Sequence, residues 1–242
     1  MADPGPHPVP VYVGGYDFPP FVTASAPPAG ATIDLIESLN GLQDQYQFHF
    51  QKITANRRYL DFSAHRYDLI LFEQPQWGWE GLEFHQTGVI AEDDEVYVAL
   101  RREGRDQEFF TALETRRLIG YLGYHYGFAG MESDVALLQQ NFDITLTRNH
   151  RRNLQLILLD RPDVAEVAIV TRSFLESEMT QYPQQREQLL ISERLDQRYR
   201  LRGLLHPQST LSAETLDKLL MQLEDRGELA RLRQFYGLAP PG

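Results

Sequence analysis

The hydrophobic and polar positions of this chain follow two spacings, one typical of strands and one typical of helices. Tyr46–Gln51 (YQFHFQ) alternates with a period of two, as a half-buried strand does, whereas Tyr67–Phe72 (YDLILF) is mostly apolar, as in a strand buried on both faces. After Thr32, isoleucine and leucine recur at helical spacing, and Thr32 is predicted to cap that helix.

Strands and helices are predicted to alternate along nearly the whole chain. The further strands are predicted at Val9–Val13, Glu95–Arg101, Leu118–Leu122, Ile144–Thr147, Val164–Val170 and Tyr199–Leu205. The further helices are predicted at Asn56–His65, Gln107–Thr115, Ser133–Phe142 and Arg151–Leu159, then after Val170 with an interruption near Pro183, and last from a Ser212 cap to Gly227, before a turn-rich Glu228–Tyr236. Strands separated by helices indicate mostly parallel sheet with crossover helices, so the predicted fold class is α/β.

Three loops that follow predicted strands are too bulky or too charged for simple turns. They are Gly14–Phe21, Glu73–Glu80 and Gly123–Gly130. Ligands of such sheets bind at the carboxyl ends of the strands, so a site is expected at these loops. In the first loop, glycines would let the backbone approach a ligand and prolines would stiffen the turn. Its aromatic side chains would contact a solute or, alternatively, simply plug the sheet edge: Tyr16, Phe18 and Phe21.

Composition narrows the classes of function. The 242 residues are 42% hydrophobic and 24% charged, as in an ordinary globular protein. A net charge of −11, with no Lys/Arg run longer than two, argues against nucleic-acid binding through a basic face. There is no cysteine, which excludes disulfides, thiolate metal ligands and cysteine nucleophiles. No apolar run reaches the roughly 18–20 residues of a membrane helix.

Five short motifs occur along the chain in a fixed order. They are Phe18–Phe21 (FPPF), Gly30–Leu35 (GATIDL), Arg66–Ile70 (RYDLI), Ile119–Gly127 (IGYLGYHYG) and Gly227–Gly237 (GELARLRQFYG). Each motif is weak alone. Together, from Val11 to Leu238, they resemble the type 2 periplasmic solute-binding proteins, and among these family 3 of the extracellular solute-binding proteins, which serves polar amino-acid ABC transporters.

The resemblance implies a fold of two α/β lobes that are joined by two strands and close on a small ligand. The first lobe would be discontinuous, with residues 9–98 and 206–242, and the second would comprise residues 99–205. Glu95–Arg101 and Arg198–Leu205 would be the hinge strands, and residues 1–8 a flexible Pro-rich arm. The start Ala2–Pro6 is like a mature end after signal-peptide cleavage, which fits a periplasmic location, and a natural cytosolic start is the alternative.

The resemblance also implies binding residues in the first lobe. The family holds a ligand α-carboxylate with an arginine shortly after the YDLI strand, through bidentate geometry. Here the expected position falls at Gly78–Glu80, and Phe72–Glu80 contains no arginine. Arg57 or Arg58 would substitute only if its side chain reaches the site.

The same stretch offers other side chains for a solute. Glu73 would pair with an amine, with Gln74 beside it, and Trp77 and Trp79 would stack on an aromatic group or attract a cation. The alternative is that both tryptophans only pack the surface and that Glu73 is solvated.

In the second lobe, the expected binding residues are a loop and an acid. The backbone N–H groups of the loop would hold an anion, and its members are Gly123, Tyr124, His125 and Tyr126. His125 would make the site pH-sensitive or, alternatively, only satisfy a hydrogen bond. By the resemblance, an acid at the start of a strand pairs with the ligand amino group. Glu166 is the best match and Asp163 the alternative, and an internal ion pair is the other interpretation of Glu166.

The leading functional hypothesis is a monomeric, non-enzymatic binding protein without cofactor or metal. It would capture a small polar, amine-bearing solute for a membrane transporter permease or a sensor. A ligand-free interaction module is the second hypothesis, which the missing arginine supports. A dehydratase-like enzyme is the third, with Glu73, Glu166 or His125 as acid or base.

Overall fold

The computed structural model describes residues 7–242, so most of the predicted N-terminal arm lies outside the described residues. The strands are β1 (Val9–Gly15), β2 (Tyr46–Lys52), β3 (Leu69–Glu73), β4 (His85–Gln86), β5 (Ala91–Leu100), β6 (Leu118–Tyr121), β7 (Ile144–Thr147), β8 (Val167–Thr171) and β9 (Leu189–Leu205). The α-helices are α1 (Ala31–Leu42), α2 (Arg58–Ser63), α3 (Val135–Asn141), α4 (His150–Leu158), α5 (Arg172–Gln181), α6 (Ala213–Asp225) and α7 (Glu228–Tyr236). The α/β fold class is confirmed.

The described chain divides into two compact units. Unit 1 holds the residues up to Glu92 together with Arg200–Gly242, and unit 2 is the continuous segment Asp93–Tyr199. The chain passes between the units within β5 and within β9. Because each of these long strands contributes residues to both units, the division falls before the predicted lobe boundaries at residues 98 and 205.

Unit 1 is built on a mixed sheet. β1 lies between β2 and β3 and is parallel to both, and the last residues of β9 run antiparallel to β3. The sheet buries its apolar residues, with Val11 and Val13 of β1 fully inaccessible. The Tyr236 hydroxyl on α7 donates to Asp34 of α1 at 2.7 Å, which ties the C-terminal helix to the first helix. The C-terminal segment of the chain thus packs back onto the N-terminal segment and completes unit 1.

Unit 2 has a second mixed sheet, in which β6 lies between β7 and β8 and is parallel to both. β5 runs antiparallel to β8. Helices α4 and α5 cover an apolar core, whose fully buried members include Val96, Val98, Ile119, Ala168, Val170 and Leu175. The carboxyl ends of β6, β7 and β8 therefore meet at one edge of this sheet.

Three local predictions were wrong. Gln107–Thr115 forms two short 3-10 segments rather than an α-helix, because its buried Phe110 and Leu113 are three residues apart, a spacing that 3-10 turns also satisfy. Glu228–Tyr236 is a regular helix rather than a turn-rich segment.

The third concerns the start of α1. Gly30, not Thr32, precedes this helix, and it has a φ of 124°. A Cβ atom at this position would lie 2.5 Å from the Phe21 carbonyl oxygen. Thr32 is instead buried within the first turn of the helix. The predicted Ser212 cap is confirmed, since its side chain accepts a hydrogen bond from the Thr215 N–H.

Candidate functional site

The aromatic residues predicted for the first loop come together at the carboxyl edge of the unit 1 sheet. The Phe18 ring lies at the centre, stacked on Tyr16 at 5.9 Å and tilted against Phe21 at 4.7 Å between ring centroids. Trp77 meets Phe18 edge-on at 5.7 Å. All four side chains are buried. The loop residues therefore pack on one another, as the plug alternative describes.

The two glycines of the first loop allow aromatic rings of the protein itself to pack closely against the backbone. A Cβ atom at Gly14 would lie 2.9 Å from the Tyr67 ring, and one at Gly15 would lie 2.5 Å from the Phe50 ring. The interpretation that these glycines admit a ligand is thus replaced by close packing of core aromatic rings against the backbone.

The centre of the unit 1 site is a buried charge pair that the sequence did not reveal. Arg58 is 2% exposed and Glu73 1% exposed, and Arg58 Nε lies 3.7 Å from Glu73 Oε1. Trp79 Nε1 donates to the other carboxylate oxygen, Oε2, at 3.0 Å. Burial raises the pKa of Glu73, and the Arg58 charge and hydrogen bonds from Tyr16 and Trp79 oppose that rise. Glu73 is therefore not solvated, contrary to the alternative considered for it.

Aromatic rings hold the Arg58 guanidinium in place. Its Cζ lies 4.3 Å from the Tyr59 ring centroid and 5.0 Å from that of Tyr16, and its Nη1 donates to the Ala55 carbonyl at 2.6 Å. Cation–π contacts of this kind are strongest where the cation is desolvated. Arg57, the other arginine considered, is exposed and pairs with Asp61.

A bulge in β3 positions Glu73. The pairing of β3 with β9 shifts its register between Ile70 and Glu73, and Phe72 has a φ of 59°. A bulky residue in the left-handed region is a genuine outlier, and such residues often mark functional sites. Gln74, the next residue, accepts the Arg200 N–H at 2.8 Å through its side-chain oxygen. Gln74 thus fixes the loop to β9.

In unit 2, the predicted loop Gly123–Tyr126 follows β6 at the carboxyl edge of the sheet. The Tyr126 hydroxyl accepts from Tyr121 N–H and donates to the Tyr121 carbonyl, so Tyr126 closes the loop from inside. His125 Nδ1 lies 2.8 Å from the Met131 carbonyl oxygen. Tyr124 and His150 are joined at 3.0 Å between the hydroxyl and Nε2. The loop side chains thus hold the loop together and tie it to helix α4.

Directly after this loop, two backbone N–H groups bind the chain's own Asp196. The Gly127 N–H donates to Asp196 Oδ2 and the Phe128 N–H to Oδ1, both at 2.7 Å. The Tyr97 hydroxyl also donates to Oδ1, at 2.6 Å. Asp196 lies far from the loop in sequence, so no local pattern pointed to it.

Glu166 lies at the other edge of the unit 2 sheet. It precedes β8, which begins at Val167 rather than at Val164, and its Oε2 accepts the Arg117 N–H at 3.2 Å. The alternative, Asp163, is exposed and pairs with Arg161. Both acids are therefore remote from the carboxyl ends of β6 and β8, where the general rule places a ligand.

The carboxyl edge of unit 2 instead presents a pair that the sequence analysis missed. Glu95 of β5 and Thr171, the last residue of β8, are cross-strand partners, and both are fully buried. Glu95 Oε2 accepts from Gln197 Nε2 at 2.8 Å, whereas Glu95 Oε1 and Thr171 Oγ1 have no hydrogen-bond partner. Burial, and then the Asp196 charge, raise the pKa of Glu95 well above its usual range. The available signal was that Glu95 directly precedes the apolar run Val96–Leu100, after three other acids of the same strand.

Within residues 7–242, no cluster of three or more His, Asp or Glu side chains could hold a metal ion. Over the same residues, no helix has the length and apolarity needed to cross a membrane.

Comparison with solved structures identifies the fold. The chain has the two-lobe α/β fold of the type 2 periplasmic binding proteins, as found in amino-acid ABC transporter binding proteins of family 3. Neither protein-family models nor curated proteins match the sequence.

Three structures illustrate the similarity. A substrate-binding protein of an ABC uptake transporter from Streptococcus pneumoniae, with bound histidine, is 14% identical with a TM-score of 0.71, over 94% of this chain and 92% of that one. The GluR0 ligand-binding core in complex with L-glutamate is 14% identical with a TM-score of 0.71, over 94% and 98%. A histidine kinase sensor domain similar to periplasmic binding proteins is 14% identical with a TM-score of 0.70, over 97% and 99%.

Proposed function

We propose that this chain is a periplasmic, monomeric binding protein that captures a small polar, amine-bearing solute for a transporter or a sensor. The fold is that of binding proteins of both kinds, one with a bound amino acid and one a kinase sensor domain. The observation that carries the proposal is the Glu95–Thr171 pair, because two buried, unpartnered oxygens at the carboxyl edge of a sheet are costly unless a ligand uses them.

An ammonium group suits these two oxygens. An ammonium group donates three hydrogen bonds and accepts none. The carboxylate oxygen of Glu95 and the hydroxyl oxygen of Thr171 can each accept one of them. Glu95 would ionise when the cation binds, because an opposite charge at short range favours the charged form of an acid. Binding would therefore release a proton and tighten as the pH rises.

A thermal-shift screen against amino acids, polyamines, amino-acid derivatives and small dipeptides tests the proposal. A solute at about 100 times its dissociation constant should raise Tm by about 5–11 °C for a chain of this size. Glu95→Gln should lose most of this shift, and the matched control Glu193→Gln, an exposed acid of the same unit, should keep it. Repeating the titration at several pH values should show tighter binding at higher pH in the wild type only.

The second candidate function is an interaction module that binds no small solute. The mutual packing of Tyr16, Phe18, Phe21 and Trp77 favours it, because these rings already satisfy one another. A flat response of the wild type to the whole panel would favour this module and would contradict the solute-binding proposal.

A further inference from the structure

Two arginine side chains of unit 2, Arg105 and Arg116, pack on the same aromatic ring. The guanidinium carbon of Arg105 lies 3.9 Å from the centroid of the Phe109 ring, and that of Arg116 lies 4.1 Å from it. All three residues are partly buried. Cation–π contacts hold each guanidinium group in place. This arginine pair therefore keeps two positive charges close together, in a chain whose net charge is −11.

No carboxylate of residues 7–242 neutralises the arginine pair by an ion pair. Each guanidinium group instead donates to a backbone carbonyl. The acceptor of Arg105 Nη1 is Leu100 at 2.8 Å, and that of Arg116 Nε is Phe109 at 3.3 Å. Burial and the charges of Arg102 and Arg116 lower the pKa of Arg105, as expected where like charges lie close together. The other N–H groups of the arginine pair have no acceptor among the described residues.

The acidic side chains whose charges act on the arginine pair have partners of their own. Glu166 and Asp160 both favour the charged form of Arg105. Glu166 accepts the Arg117 N–H at 3.2 Å, however, and Asp160 forms an ion pair with Arg102. Neither acid forms an ion pair with Arg105. The positive charge of the arginine pair is thus left for an anion from outside the chain.

The arginine pair lies at the amino-terminal edge of the unit 2 sheet. Arg116 comes shortly before β6, and the end of β5 is next to the start of β8, since Ala99 pairs with Val167. Glu95 and Thr171 lie at the opposite edge of the same sheet. The arginine pair is therefore separate from the site of the proposed function.

We propose that Arg105 and Arg116 form a second binding site, for a phosphate group. A guanidinium group presents its N–H groups in a planar fork that matches the oxygens of a carboxylate or a phosphate. A carboxylate has only two oxygens, and a single fork already uses both. A phosphate group has oxygens on several sides, so it meets both forks at once and neutralises two charges that otherwise repel each other. The ligand is inorganic phosphate or a small phosphate monoester.

Titration of the whole chain with inorganic phosphate tests this site. Sodium chloride keeps the ionic strength constant, because salt screens exposed charges. In the wild type, the NMR signals of the Arg105 and Arg116 side-chain Nε–H groups should shift and saturate. Arg105→Gln and Arg116→Gln should each weaken phosphate binding about tenfold or more, because each removes one charged fork. Methyl phosphate in the same titration distinguishes a monoester from the free ion, by which of the two binds more tightly.

The matched control is Arg148→Gln. Arg148 is an exposed arginine that follows β7, at the other edge of the sheet, and its replacement changes the net charge equally. Phosphate affinity of this variant should stay within about twofold of the wild type, because a distant surface charge is screened. If Arg105→Gln does not fold, Arg116→Gln carries the test.

Three results would overturn the second site or its ligand. The first is the absence of a saturable shift in the wild type with either phosphate compound. The second is an equal loss of affinity in Arg148→Gln and in Arg116→Gln, which would show that only the net charge matters. Malonate provides the third, because tighter binding of this dicarboxylate than of phosphate would contradict the assignment to a phosphate group.

Discussion

At the scale of single residues, the unusual feature is a buried hydroxyl group that lowers the stability of the fold because it forms no hydrogen bond within the protein. Thr171 Oγ1 is buried and has no hydrogen-bond partner, and its backbone ends β8 at the carboxyl edge of unit 2. A buried polar group without a partner costs about 1–3 kcal/mol. A protein that retains such a group at a sheet edge is expected to use it.

Thr171→Val separates stability from function. Valine has nearly the same shape and removes the unpartnered hydroxyl, so the free energy of unfolding should rise by about 1 kcal/mol. Any solute found in the thermal-shift screen should bind the variant more weakly. Urea unfolding and a binding titration measure the two effects, and Thr171→Ser, which keeps the hydroxyl, should retain binding. A valine variant that is destabilised and binds normally would contradict this role.

At the scale of elements, the N-terminus of helix α5 is capped by a residue of strand β5 and not by its own N-cap residue. Thr171, the residue before α5, provides no side-chain cap. Asp93 of β5 accepts from both the N–H and the hydroxyl of Ser173, in the first turn of α5. Burial raises the pKa of Asp93 to about 7, although these hydrogen bonds oppose the rise. The cap therefore titrates near neutral pH.

This titration predicts how stability depends on pH. Between its ordinary pKa of about 3.9 and the folded value of about 7, Asp93 binds more protons in the folded state, so its contribution to stability falls as the pH rises through this window. Burial lowers the pKa of His150 to about 3, and this residue acts in the opposite direction between that value and about 6.5. Comparing Asp93→Asn with the wild type cancels the contribution of His150.

Asparagine keeps the shape of Asp93 but avoids ionisation. Relative to the wild type, Asp93→Asn should gain up to roughly 4 kcal/mol of stability between pH 4 and pH 8, mostly below pH 7. Thermal unfolding at one-unit pH intervals measures the gain. Glu193→Asn, at an exposed position, should show no such trend. A difference between Asp93→Asn and the wild type that does not vary with pH would show that the carboxyl group titrates normally.

Most elements were predictable from the sequence because their signals are local. β7 has the predicted bounds, and Ser212 caps α6 as its position indicated. The site was less accessible, because its key contacts join distant residues. Glu73 meets Arg58 and Asp196 meets Gly127 only through the fold. Glu166 was predicted to lie within the strand that became β8. No local feature of the sequence shows that β8 begins only at Val167, the residue after Glu166.

At the scale of the whole molecule, the two units differ in how they depend on chain continuity. Unit 2 is one segment, Asp93–Tyr199, with its own sheet and core. Its two ends are tied together inside the unit, since the Tyr97 N–H donates to Ser192 Oγ at 3.0 Å and the Arg101 N–H to the Gln188 carbonyl at 2.7 Å. Unit 1 instead needs β9, α6 and α7 from the end of the chain.

Expression of the two segments separately should expose this difference. Asp93–Tyr199 should fold alone and unfold cooperatively, because a single segment with its own core meets the requirements of an independent domain. The segment up to Glu92 should remain unfolded, since it lacks the β9 partner of β3 and the α7 contact of α1. Circular dichroism and amide hydrogen exchange measure both. Adding Arg200–Gly242 through a short Gly/Ser linker should restore folding to the N-terminal segment. Protection of that segment without the C-terminal part would show that unit 1 does not depend on the return of the chain.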